Sequence, residues 1–300
     1  MRFATYKDLV RDTLAWADAN PRWRTLRGVV GVPRCGMLPA GIVATRYDLP
    51  LADLEHFLLT GGRFYPARHG RADGAFWAGD RGKAENRLLV LDDSSVTGAT
   101  LKWAAAELRG HAGLSGHQLE LGAVYGAAGC GHACAKPIDG PRIFEWNWTR
   151  AAVMTEAMVD MDGLLCEDPP PEAARDPRVY AAWLPAARPR FLPTRRVRAV
   201  VSARLEEHRQ QTQEWLARWE VLHDELCLLD CTAEERGDLN LHARHKIHHY
   251  GQSASGLFVE SDHRQAAEIH AATRKAVLCP AGPCGGFRLL DPGDMSKEPA

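Results

Sequence analysis

The sequence lacks several features that would mark particular function classes. No apolar run approaches the roughly 20 residues needed to cross a bilayer, so no membrane insertion is expected. Neither sign of charge is in excess: 37 Lys and Arg against 38 Asp and Glu leave a net charge of −1. Nothing global therefore draws the chain to nucleic acid or an anionic membrane. There is no internal repeat. The first twenty residues, MRFATYKDLVRDTLAWADAN, read as an amphipathic helix with acids inside it and not as a secretion signal, so a cytoplasmic protein is expected. In a chain this long without such a signal, the eight cysteines are expected as reduced thiols and not as a disulfide framework.

What is present is an ordinary globular composition, 45% apolar and 25% charged, over 300 residues, enough for two domains. In the first half, residues 28–32, 87–92 and 119–126 read as strands, and helical patterns fall at 6–19, 37–47 and 98–109. That alternation implies a parallel sheet flanked by helices. Residues 61–86 are rich in glycine, basic and aromatic residues without steady periodicity, a loop length that is usually either functional or disordered. A second α/β pattern follows, with strands at 157–162, 197–202, 257–260 and 275–279 and helices near 204–219 and 263–274. The expected fold is α/β in two domains, 1–145 and 152–282, with a loosely ordered tail at 283–300. The boundary is set near Pro141 and the aromatic stretch FEWNW.

Residues 89–101, LVLDDSSVTGATL, hold the first constellation. An apolar run suited to a buried parallel strand ends on two adjacent acids, Asp92 and Asp93. The turn Thr97-Gly98-Ala99-Thr100 then opens a helix, where backbone N–H groups and threonine hydroxyls can meet a phosphate. Carboxylates just ahead of it can accept bonds from vicinal ribose hydroxyls and attract Mg2+. The pattern of apolar run, two acids, three residues, Thr-Gly, one residue and Thr resembles the motif of type I phosphoribosyltransferases that binds 5-phosphoribosyl 1-diphosphate (PRPP). The segment Val32-Pro33-Arg34-Cys35-Gly36 is similar to that family's diphosphate loop, with Cys35 where relatives carry Gly or Ser. By the same resemblance the 61–86 stretch is a closing loop, with Arg63, Arg68, Arg81 and Lys83 as candidate covers for the diphosphate. Acceptor contacts are expected from about 1–27 and 53–66. The resemblance implies Mg2+-assisted departure of diphosphate, with no protein nucleophile.

The segment AMVDMDGLL holds the second constellation. Asp160 and Asp162, two apart, can reach one cation if the chain stays extended. Further on come Ser202, Lys246, Glu260 and Asp262. In that order the set resembles the haloacid dehalogenase (HAD) superfamily of phosphatases. The resemblance implies that Asp160 is a nucleophile forming an aspartyl-phosphate and Asp162 a general acid/base. It implies that Ser202 bonds phosphoryl oxygens, that Lys246 offsets charge, and that Asp160, Asp162 and Asp262 hold Mg2+, with Glu260 as a further acid there. The gaps of about forty residues between motifs leave no room for a large cap. Arg188, Arg190, Arg195, Arg196 and Arg198 either line the entrance or form a solvated basic face.

Together these readings imply a bifunctional enzyme that transfers ribose 5-phosphate from PRPP to an acceptor and then removes the 5-phosphate. The product would be a ribosylated glycan, lipid carrier or nucleoside. The other reading is a PRPP- or nucleotide-sensing regulatory protein with an independent HAD phosphatase activity. The two halves could also act on unrelated metabolites. A homodimer stays open. Cys130, His132 and Cys134 offer part of a zinc set that would need Cys227 and Cys231 to complete it; Cys279 and Cys284 read as incidental.

Overall fold

The computed structural model describes residues 1–65, 86–174, 176–238, 241–280 and 286–292. Three of the candidate loop cations, Arg68, Arg81 and Lys83, lie outside these residues, as do Cys284 and most of the tail. The chain divides into two units, Arg2–Gly140 and Pro141–Ala300, the latter joined by Met1. The fold is α/β, with helix-flanked parallel sheets. No described helix is long and apolar enough to cross a membrane.

The first unit is built on strands β1 (Gly28–Gly31), β2 (Leu51–Asp53), β3 (Arg87–Ser95), β4 (Gln118–Gly126) and β5 (Ala133–Pro137). They pair in the order β2-β1-β3-β4-β5, parallel throughout. Alternation explains why the 88–91 run is apolar at every position. Leu89 and Leu91 join Val29, Trp23, Ala40 and Val43 on one face, while Leu88 and Val90 join Val30, Phe57, Leu101 and Leu108 on the other. Helices α1 (Tyr6–Asp18), α2 (Met37–Tyr47), α3 (Leu54–Leu59) and α4 (Ala99–Gly110) supply these outer layers. Strand β3 runs three residues past its expected end at 92, so Asp93 belongs to the strand as Asp92 does, and not to the turn after it.

The second unit carries β6 (Ala157–Val159), β7 (Val197–Leu205), β8 (His223–Leu229), β9 (Leu257–Val259), β10 (Ala276–Cys279) and β11 (Arg288–Leu290). Their order is β8-β7-β6-β9-β10-β11. All neighbours are parallel except the last pair, where β11 runs antiparallel to β10. Residues 288–290, expected in a loose tail, instead pair with that edge of the sheet. Met158, Ala199, Val201, Phe258 and Val277 form a core with Tyr250, Ala266 and Ile269. The last three come from helices α7 (Leu241–Gln252) and α8 (His263–Thr273). Two further helices are α5 (Pro177–Trp183) and α6 (Arg209–Arg218), the latter beginning five residues later than its pattern suggested because a 3-10 turn occupies Glu206–His208.

Candidate functional site

Both sheets change direction once. In the first, the chain steps from β1 outward to β2, then returns to the other side of β1 for β3 and beyond. In the second it steps from β6 through β7 to β8, then returns to the other side of β6 for β9. Where neighbouring crossovers diverge, a crevice opens beyond the carboxyl ends of the strands, the general place for a ligand in an open parallel sheet. Both constellations lie at such a point.

In the first unit, the loop after β1 and the end of β3 meet directly. The Val32 N–H donates to the Leu91 carbonyl oxygen at 2.8 Å. A Cβ on Gly36 would stand 2.5 Å from that same oxygen and 2.6 Å from the Val32 carbonyl, so only glycine lets the loop fold this tightly. Arg34 is exposed and Cys35 half-buried on this loop, and the Pro33–Arg34 peptide is cis. Asp92 and Asp93 are both buried, and the Asp93 N–H donates to Asp92 Oδ1 at 2.8 Å. Burial, and then the neighbouring Asp93 carboxylate, push Asp92 up to about 8.

The Thr97–Thr100 turn follows. Gly98 adopts a left-handed φ of 77°, and a Cβ there would lie 2.2 Å from the Cys130 carbonyl oxygen. Thr97 Oγ1 accepts from the Ala99 N–H at 3.3 Å at the start of α4, and Thr97, Ala99 and Thr100 are exposed. The cysteine segment has become part of this turn's support. His132 Nε2 lies 3.1 Å from the Gly98 carbonyl oxygen, and Cys130 Sγ lies 3.3 Å from Cys134 Sγ. Among the described residues, no three His, Cys, Asp or Glu side chains are grouped to hold a metal ion.

In the second unit, a cavity of about 320 Å³ opens at the carboxyl ends of β6, β7 and β9. Asp160, Asp162, Ser202, Lys246, Glu260 and Asp262 all line it. The five arginines between 188 and 198 do not. Arg195 and Arg196 bond to the Arg150 and His223 carbonyls, Arg198 stands near Glu156, and Arg190 reaches the Gly163 carbonyl.

Asp160 follows β6 directly, and its N–H continues the ladder to the Val259 carbonyl at 3.0 Å. Lys246, 3% exposed, comes from α7 and places Nζ 2.9 Å from Asp160 Oδ2, 2.6 Å from Glu260 Oε2 and 3.0 Å from Gln265 Oε1. The triad is buried and sets two carboxyl groups against one ammonium. Burial, then the Glu260 carboxylate, push Asp160 well above the carboxylate range, against the pull of Lys246. For Lys246 burial works against the charge, and Asp160 and Glu260 outweigh it, leaving its pKa raised. Glu260, expected as a further cation-binding acid, is spent internally: Oε2 takes Lys246 and Oε1 takes the Asp262 N–H at 3.0 Å.

Asp262 is exposed and caps α8, accepting from the Arg264 and Gln265 N–H groups at 2.8 and 3.0 Å. Asp162 is bound by Arg204, a residue the sequence reading passed over, with Nη2 2.6 Å from Oδ1. Burial opposes the Arg204 charge, and Asp162 outweighs it, leaving the guanidinium pKa raised. Asp160, Asp162 and Asp262 offer hard carboxylate oxygens of the kind Mg2+ takes, and they line one cavity without being grouped around a common point. Each of the three already has a protein partner: an ammonium, a guanidinium and a helix start respectively.

No protein-family model matches the sequence. No curated protein matches it. Solved structures do. A purine phosphoribosyltransferase from Pyrococcus horikoshii Ot3 is 18% identical, with 48% of this chain and 92% of that one covered at a TM-score of 0.33. The Helicobacter pylori xanthine-guanine-hypoxanthine phosphoribosyltransferase is 13% identical, covering 48% and 90% at 0.34. An orotate phosphoribosyltransferase from Aeropyrum pernix is 16% identical, covering 44% and 70% at 0.30.

Proposed function

We propose that this chain is a bifunctional enzyme: its first unit transfers ribose 5-phosphate from PRPP to an acceptor, and its second removes the 5-phosphate through an aspartyl-phosphate. The observation that carries the reading is the cavity in which Asp160, Lys246, Ser202 and Asp162 converge from two neighbouring strands and a helix.

In the first unit, Asp92 and Asp93 would accept bonds from the ribose hydroxyls, while the 97–100 turn meets the 5-phosphate at the start of α4. Arg34 and the 32–36 backbone would face the diphosphate beside the end of β3. Mg2+ bound with PRPP would offset carboxylate and diphosphate charge.

In the second unit, an oxygen of Asp160 attacks phosphorus and the ester P–O bond breaks. The leaving oxygen takes a proton from Asp162. Water then attacks the aspartyl-phosphate, returns a proton to Asp162, and inorganic phosphate leaves with Asp160 restored. Ser202 and Lys246 hold the phosphoryl oxygens and the charge that builds there. Asp160 and Asp262 would hold Mg2+, whose chemistry when bound is to neutralise phosphoryl charge, while Asp162 is kept for the proton.

The test is to incubate the full chain with PRPP, Mg2+ and a panel of nucleobase, polyol and lipid-carrier acceptors, following diphosphate and phosphate release separately. Diphosphate release followed by phosphate release from the same product supports the reading. Tight PRPP binding with neither release on any acceptor would replace it with a sensing role.

A further inference from the structure

Arg204 is 1% exposed, and every nitrogen of its guanidinium has a partner. Nε lies 3.0 Å from Asp162 Oδ1 and 3.2 Å from Oδ2, Nη2 lies 2.6 Å from Oδ1 and 3.4 Å from Cys166 Sγ, and Nη1 lies 3.2 Å from Thr212 Oγ1. The plane of the guanidinium sits over the Trp183 ring, 5.3 Å from its centroid. Its own backbone N–H donates to Ser202 Oγ at 3.2 Å. One side chain thus ties the end of β7 to α5, α6 and the loop after β6.

We propose that Arg204 is a positioning residue that presents Asp162 for proton transfer in the cavity chemistry, an inference that rests on the phosphatase reading above. The asymmetry of the contacts carries it. Asp162 Oδ1 takes both short Arg204 bonds and the Cys166 thiol at 3.3 Å, whereas Oδ2 receives only the longer Nε contact. A planar fork with fixed nitrogens sets the rotation of the carboxylate that it grips. Oδ1 is therefore the anchored oxygen, and Oδ2 is the one presented for the proton. Lysine, a point charge on a flexible stem, retains the charge and loses the fork.

The geometry makes a prediction that simple loss of packing does not share. Proton donation matters for an alkyl phosphate, whose leaving group is strongly basic, and hardly at all for para-nitrophenyl phosphate. Proton removal from water matters for turnover of both. In the full-length Arg204→Lys protein, kcat for an alkyl phosphate should fall by about ten- to a hundredfold with KM nearly unchanged, the scale of a misplaced catalytic group. On para-nitrophenyl phosphate, the first equivalent of nitrophenolate should still appear in a rapid burst, followed by slowed turnover. Thr212→Val, which loosens Nη1 without burying an unpaired charge, should show the same pattern more weakly and serves where Arg204→Lys does not fold. Native turnover on both esters in these variants, or burst and turnover falling in parallel, overturns the inference and leaves the phosphatase reading standing. A native protein that cleaves neither ester removes that reading and this inference together.

Discussion

Lys246 Nζ and Glu260 Oε2 stand 2.6 Å apart and buried: Lys246 is 3% exposed and Glu260 fully buried. Glu260 is thereby a counter-ion for the lysine that also meets Asp160. Removing one member of such a set leaves buried charge uncompensated, which costs far more than the intact set contributes. Lys246→Met should destabilise the protein by ~3–5 kcal/mol in urea unfolding. Adding Glu260→Gln should recover part of that loss, because the two sites share one network. Losses that simply add would show that the lysine and glutamate do not interact.

Asp92 gives the first unit a pH dependence with a definite sign. Its carboxyl, raised by burial and by Asp93 to about 8, binds its proton more tightly folded than unfolded. Its contribution to stability is therefore full below the ordinary carboxylate range near pH 4 and is lost as pH rises toward about 8. Asp92→Asn, neutral at every pH, should flatten that decline. In urea unfolding the gap should move in favour of the variant between about pH 4 and about pH 8, by roughly 1.4 kcal/mol per pKa unit. A gap that stays constant across the range would count against the assignment.

How much of this was legible beforehand depended on burial. The 88–91 run and the strands at 157, 257 and 276 announce themselves because both faces are covered, so every position is apolar, and the strand at 197 does so through its Ala199–Val201 centre. Leu51–Asp53 and Ala133–Pro137, short and at the sheet edges, carry no such run, and His223–Leu229 opens with the polar HDE at another edge. Arg204 was missed because no acid-centred motif includes it. A signal existed all the same: Ser202 and Arg204 are two apart on a strand and so share a face. The fate of Glu260 was not legible, since it turns on where α7 brings Lys246.

Gly98 links turn geometry to the candidate phosphate site. Its φ of 77° disfavours any side chain, and an added Cβ would meet the Cys130 carbonyl oxygen at 2.2 Å. Gly98→Ala should therefore cost ~1–3 kcal/mol in strain and also displace the start of α4. Calorimetric titration with PRPP and Mg2+ should show weakened binding, whereas Gly110→Ala, at the other end of α4 with open space around it, should leave binding unchanged. Equal affinities for the two variants would remove the 97–100 turn from the site.

The sharpest test of a two-step sequence is Asp160→Asn. The amide removes the nucleophile and keeps the side chain's size in a cavity where Asp160 is 5% exposed. It also removes the second carboxyl group from beside Glu260, so folding should hold. With PRPP and an accepted acceptor, diphosphate release should continue at the native rate while phosphate release drops by about a thousandfold or more, as expected for loss of a nucleophile. The product should then carry one additional phosphate by mass. Native protein supplied with that isolated product should release its phosphate, which links the two units through one compound. If the variant yields the dephosphorylated product, the cavity around Asp160 does not perform the second step.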